Sequence, residues 1–188
     1  MQRELSFLSA VGCEVALLVV AFLWALIFGG SPFGHLHWEF TSTVIGGLAV
    51  FPLFVFFLWT LKSRLALFAR HRYTLDFLVR QLFGKWPIWQ LAAISICAGV
   101  CEEALFRGAL QASLVERVGV VPAIAIVSLL FGASHLLSWT YAIIATGMGI
   151  YLGVLFYFTD NLLAPILTHG LYDFAALVYL VKVDDRRD

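Results

Sequence analysis

Six apolar stretches, each close to the length a helix needs to cross a bilayer, dominate this chain and leave it little freedom of fold. They run over Leu5–Phe28, Thr41–Leu61, Pro87–Leu110, Val120–Leu137, Tyr141–Phe158 and Leu162–Val181. A spanning helix takes about 20 apolar residues, and only a helix or a closed barrel pairs all its backbone groups in lipid. Of the 188 residues, 62% are hydrophobic and 13% charged, whereas soluble domains carry roughly 45–50% and about 25%. The expected fold is all-α: a polytopic membrane bundle of about six transmembrane helices, forming one domain over residues 1–188. The first stretch is about 24 residues long. A signal peptide has an apolar region of roughly 7–15, so a retained helix is expected.

The connector Lys62–Trp86 is different. Its sequence RLALFARHRYTLDFLVRQLFGKW alternates Leu and Phe with Arg, His and Lys, the pattern of an amphipathic helix at the membrane interface. Trp38, Trp86, Trp89 and Trp139 fall near span ends, where an aromatic belt places them.

Acidic and basic residues balance at 12 each, so no overall charge argues for nucleic acid. The distribution of charge carries more information. Arg3, Lys62, Arg64, Arg70, Arg72, Arg80, Lys85, Lys182, Arg186 and Arg187 fall on one side of a six-span chain. Only Arg117 falls opposite, and Arg107 lies within a span. The positive-inside rule then predicts both termini in the cytoplasm and the protein in the cell membrane. Cys13, Cys97 and Cys101 all sit in apolar runs, which argues against a disulfide framework. Ala145, Gly149 and Gly153 recur every four residues, a small-residue face for close helix packing.

Ionisable groups inside spans are costly, about 2.5–3.5 kcal/mol each on insertion scales. Yet Glu14, Glu102, Glu103, Arg107, His135, His169 and Asp173 all lie within or near spans. In CEEALFR, Glu103 and Arg107 share a helical face as an i,i+4 ion pair. Glu102 points elsewhere, free for another task. In FGASH, Phe131 and His135 share a face; in HGLYD, His169 and Asp173 do. Each motif alone is also what a hydrogen-bonded core contact would look like. Together, a carboxylate, two imidazoles and a further polar group suit activation of water and stabilisation of an oxyanion. The same residues suit zinc, which accepts a His/His/carboxylate set with an open position. Neither HExxH nor GxSxG is present.

Read in order, Glu102-Glu103-x-x-x-Arg107-Gly108, Phe131-x-x-x-His135 and His169-x-x-x-Asp173 resemble the CAAX protease and bacteriocin-processing (CPBP, or Abi) family. That family includes the type II CAAX prenyl endopeptidases. The settings AGVCEEALFRG, SLLFGASHL and LLAPILTHGLYD match as well, and the family-like core extends over about residues 87–181.

The resemblance implies a glutamic intramembrane protease acting on a membrane-associated or C-terminally anchored peptide or protein. Glu102 and His135 would activate water, and His169 with residue 173 would steady the oxyanion. Glu103, Arg107 and Phe131 would support them. No cofactor is implied by that mechanism; the zinc alternative would use Glu102, His135 and His169. Many members have Asn where this chain has Asp173, and an ionised Asp repels an oxyanion. Asp173 is therefore expected either to carry a proton or to orient His169. The competing function is a non-catalytic scaffold, such as a bacteriocin-immunity protein, that keeps the motifs. A proton-relay transporter would show broken helices or repeated halves, and neither is evident.

Helix lengths pose one difficulty. With the spans as drawn, Glu102 and His135 stand at unequal depths, so the third helix is expected to continue through Gln111–Arg117. Glu14 either lines the same cavity, pairs with Arg107, or marks a misplaced boundary. Cys97 and Cys101 are expected to be packing residues. His35 and His37 are expected in an outer interfacial loop.

Overall fold

The computed structural model describes residues 6–183, all-helical with no strand among them. Leu5, Arg3, Arg186 and Arg187, which entered the span and charge assignments, lie outside the described residues, as does the Arg70 side chain. We number the helices α1 (Phe7–Phe28), α2 (Phe40–Lys62), α3 (Ala66–Phe83), α4 (Ile88–Val118), α5 (Val120–Ser134), α6 (Trp139–Thr159) and α7 (Leu163–Val183). Five are long and apolar enough to cross a membrane; α5 is a shorter apolar helix, and α3 is amphipathic. The polytopic helical bundle read from the sequence is thus observed.

Local chemistry fixes the helix ends. Ser6 caps α1 by accepting from the Ser9 amide, and Ser138 caps α6 by accepting from the Tyr141 amide at 3.2 Å. Gly119 alone joins α4 to α5. Its φ of +83° is one that L side chains rarely adopt. At the same end of the bundle the loop after α1 folds inward. Pro32 is buried, the Leu162 amide donates to the His35 carbonyl at 2.9 Å, and the buried Asn161 amide group donates to the His37 carbonyl at 2.9 Å. His35 and His37 thus anchor the start of α7 as well as occupying a loop.

The third span continues to Val118, as the depth argument required, and the fourth ends at Ser134 instead of Leu137. Those two lengths resolve the difficulty. Glu102 lies about 17 residues before Gly119 and His135 about 16 after it, so at 1.5 Å per residue both stand about 25 Å from the turn. The hairpin brings them level.

Within α4, residues Ala104–Gln111 form a π-helical turn, and every residue from Cys101 to Gln111 is buried. Such wide turns concentrate at functional sites. Gly149 and Gly153 of α6 do more than allow close packing. Their carbonyls accept from Arg107 Nη2 and Gln111 Nε2, each at 2.9 Å, and Gly149 also abuts Ser128 of α5. Two donors four residues apart on α4 meet two acceptors four residues apart on α6. A Cβ on Gly108 would strike the carbonyl of Pro32.

Two measurements check this architecture. Reporter fusions at Gly34 and Gly119 should read one side of the membrane and a fusion at Lys85 the other; agreement of all three would contradict the bundle. Gly108→Ala should destabilise the protein by about 1–3 kcal/mol through overpacking against Pro32, read as thermal unfolding in detergent.

Candidate active site

The site is built around Phe131, fully buried near the end of α5. Its ring packs edge-on against Phe106, stacks on His135 at a centroid distance of 4.5 Å and lies 5.8 Å from His169. The Arg107 guanidinium sits 4.8 Å from its centre. The FxxxH motif therefore supplies a platform that joins all three motifs.

Beneath it, Glu103 and Arg107 form the expected ion pair at 2.8 Å, with both side chains fully buried. The same oxygen, Glu103 Oε1, also meets His169 Nδ1 at 2.8 Å, a contact the motif reading did not include. His169 Nε2 lies 3.4 Å from Asp173 Oδ2, so the ring is held between two carboxyl groups. Arg107 donates through Nη1 to Glu103 and through Nη2 to the Gly149 carbonyl, and among the described residues no ion pair joins it to Glu14.

Glu102, 7% exposed, points the other way, toward a cavity of about 240 Å³. Its Oε2 is buried without a hydrogen bond and stands 3.7 Å from His135 Nε2. His135 is the residue after α5 and not part of it, with φ −102° and ψ 25°. It keeps its place by a 2.8 Å contact between Nδ1 and the Phe131 carbonyl oxygen, which leaves Nε2 facing Glu102.

Glu14, Tyr141, Tyr172 and Asp173 line the same cavity as Glu102. The remaining wall is largely apolar, with Leu75, Leu78, Val79, Leu82 and Phe83 contributed by α3. The amphipathic connector thus turns its apolar side to the cavity. All three cysteines are free; Cys97 packs with Leu91 and Ile94 and Cys101 is buried, consistent with packing roles.

Sequence reasoning missed Gln111, Tyr141 and Tyr172. Gln111 was within reach, because it extends the Glu103–Arg107 spacing by another four residues. The tyrosines carry no spacing signal that separates them from belt aromatics.

A zinc ion needs at least three side chains aimed at one point. Among the described residues no group of three His, Cys, Asp or Glu side chains meets that condition, and both ring nitrogens of His169 already face carboxylates.

The fold and this cluster define a class: a helical membrane protein with buried Glu, His and Arg gathered at the polar end of an apolar cavity. The family model described as "Type II CAAX prenyl endopeptidase Rce1-like" matches residues 84–175, which contain all three motifs. The match bears out the resemblance drawn from the motifs. A similar protein, "Uncharacterized protein YpbD" of Bacillus subtilis (strain 168), is 30% identical over 109 residues. That match takes in 56% of this chain and 53% of the relative, so the chain spans about half the length of the curated relative it matches. No solved structure matches the chain.

Glu103→Ala should destabilise the protein by about 3–5 kcal/mol, because it strands the Arg107 charge in a dry interior. Glu102→Gln, which breaks no hydrogen bond, should leave thermal stability in detergent within about 1 kcal/mol of wild type. Equal losses from the two substitutions would contradict the division between a structural and a free glutamate.

Proposed function

We propose that this protein is an intramembrane endopeptidase that hydrolyses a peptide bond of a membrane-associated or C-terminally anchored substrate. One observation carries the reading: Glu102, which lines the cavity, has its buried Oε2 without a hydrogen bond and 3.7 Å from His135 Nε2. That separation is too long for a direct hydrogen bond. It leaves one acceptor on each group for a single water molecule, the arrangement that general-base activation needs. The match of residues 84–175 to the type II CAAX prenyl endopeptidases supports a protease, without bearing on how it activates water.

The remaining residues take complementary roles. Glu102 removes a proton from water, which attacks the carbonyl carbon, and returns it to the departing amine nitrogen. His135 holds the water through Nε2. His169, fixed by Glu103 at Nδ1, and Asp173, 3.4 Å from its Nε2, together face the position where negative charge develops on the carbonyl oxygen. Asp173 then orients His169, a role an aspartate fills as well as an asparagine. The basic residues from Lys62 to Lys85 favour a cytoplasmic position for that side of the bundle by the positive-inside rule.

Two tests follow from this assignment. Exhaustively chelated protein should retain full turnover of a membrane peptide substrate. Loss of activity that zinc restores would contradict water activation by Glu102 and His135. Asp173→Asn should keep most activity, whereas Asp173→Ala should lower kcat by about 10²–10³-fold through loss of oxyanion stabilisation. An asparagine variant as inactive as the alanine one would require a negative charge at 173. A functional Glu102→Gln protein would point to a scaffold instead.

A further inference from the structure

A second cavity of about 460 Å³ lies beside the active one, between α2, α6 and the start of α3. Pro52 and Leu53 of α2 and Ile143 and Met148 of α6 line it. Phe56, Ile144 and Tyr172 line both cavities and so form the wall between them. α2 packs along α7 and hardly touches α6. At the deep end of the cleft the Tyr151 hydroxyl joins them, donating to the Ala49 carbonyl at 2.9 Å. Ile143 and Gly147 are exposed along its length, so the cleft opens sideways to lipid.

The shape of the cleft limits what fills it. From Thr140 to Tyr151 it follows α6 for about 16 Å of helical rise, which spreads its volume over a cross-section of about 30 Å². A helix about 10–12 Å across needs roughly 80 Å² or more, so a helical segment does not fit. An extended peptide is narrow enough but brings unpaired N–H and C=O groups. The lining offers them three hydroxyls and no charged side chain, and the Tyr151 hydroxyl is already engaged. Stranding backbone groups there has a cost that a hydrocarbon chain does not incur. The cleft suits one hydrocarbon chain.

Charge at the shallow end distinguishes which chain. There Phe68 of α3 packs edge-on against Trp59 of α2 at 5.3 Å, which puts the cleft beneath the α2–α3 corner. Lys62 and Arg64 are exposed at that corner, and Lys62 lies about 9 Å beyond Phe56 by helical rise. Among the described residues neither forms an ion pair. Two unpaired cations where a helix leaves the bilayer complement a lipid phosphate.

We infer that the cleft between α2 and α6 holds one acyl chain of an anionic membrane phospholipid, its phosphate seated at Lys62 and Arg64. The chain enters from the bilayer without crossing the wall of Phe56, Ile144 and Tyr172. Its occupant is therefore a lipid of the membrane and not the anchor of a substrate held at Glu102. The site rests on the bundle alone and does not depend on the protease reading.

The test uses the full chain in nanodiscs of phosphatidylcholine doped with phosphatidylglycerol that carries a diazirine at the end of one acyl chain. After irradiation, labelled residues are mapped by mass spectrometry. Val19, Phe22 and Leu23 of α1, which are exposed near the same depth, serve as the control surface. Labelling along 49–56 and 140–151 should exceed theirs by about tenfold or more, a preference worth about 1.4 kcal/mol. A Cβ at Gly147 meets no atom within 4 Å, so Gly147→Leu fills the cleft without straining its own helix. That variant should bring cleft labelling down to the level of α1. Lys62→Gln combined with Arg64→Gln should lower it about threefold or more, as should a phosphatidylcholine probe on wild type. Uniform labelling of the lipid-facing helices, cleft labelling that survives Gly147→Leu, or equal labelling by the two headgroups would overturn the inference. So would a lipid-anchored peptide carrying the same chain that labels the cleft more strongly than the phospholipid at equal concentration. If Gly147→Leu fails to fold, the wild-type ratio and the headgroup comparison decide the case.

Discussion

The buried contact of Glu103 with Arg107 and His169 is the interaction on which the rest of the arrangement depends. Removing charges from water costs several kcal/mol each, repaid only when their hydrogen-bonding groups find partners. Here one carboxylate oxygen takes a guanidinium from its own helix and an imidazole from α7, each at 2.8 Å. Arg107 then reaches the Gly149 carbonyl on α6 and lies beside Phe131 of α5. A single polar node thereby joins α4, α5, α6 and α7. In an environment as apolar as the outside of this bundle, packing alone does not choose between helix arrangements as sharply as such a node does.

The π-helical turn belongs to the same economy of polar groups. It places Arg107 and Gln111 against two carbonyls of α6 that are exposed by glycine, so that close approach and hydrogen bonding are one feature. The short fifth helix is the other half of the arrangement. Because α5 ends at Ser134, His135 is free of helical geometry and can stack on Phe131 while presenting Nε2 to Glu102. The adjacent glutamates end on opposite sides of α4, one in the structural node and one at the cavity.

Much of this was legible in the sequence, and the reasons differ from element to element. Hydrophobic length located the helices, because lipid imposes a length that soluble folds do not. The i,i+4 rule found the Glu103–Arg107 pair and separated Glu102 from it. The level placement of Glu102 and His135 required the longer α4, and the observed helix supplies it. What spacing does not encode is contact between helices. The Glu103–His169 bond, the π turn and the cavity face of α3 all depend on how distant segments pack, and no local period reports that. The end of the fifth helix was misread because Leu136 and Leu137 continue the apolar run after the helix has stopped. Glu14 was placed among three readings, and only the packing of α1 against α4, which turns its side chain to the cavity, selects the first.

The central claim is that Glu102 performs hydrolysis inside the membrane, and the most direct measurement is a comparison of protein termini. Membranes carrying wild-type protein and membranes carrying Glu102→Gln at matched abundance would be labelled at all free amino termini and compared by mass spectrometry. The account predicts a small set of new termini within or beside membrane-embedded segments, present with wild type and absent with Glu102→Gln. Identical sets of termini, or wild-type-specific termini that persist in Glu102→Gln, would contradict it.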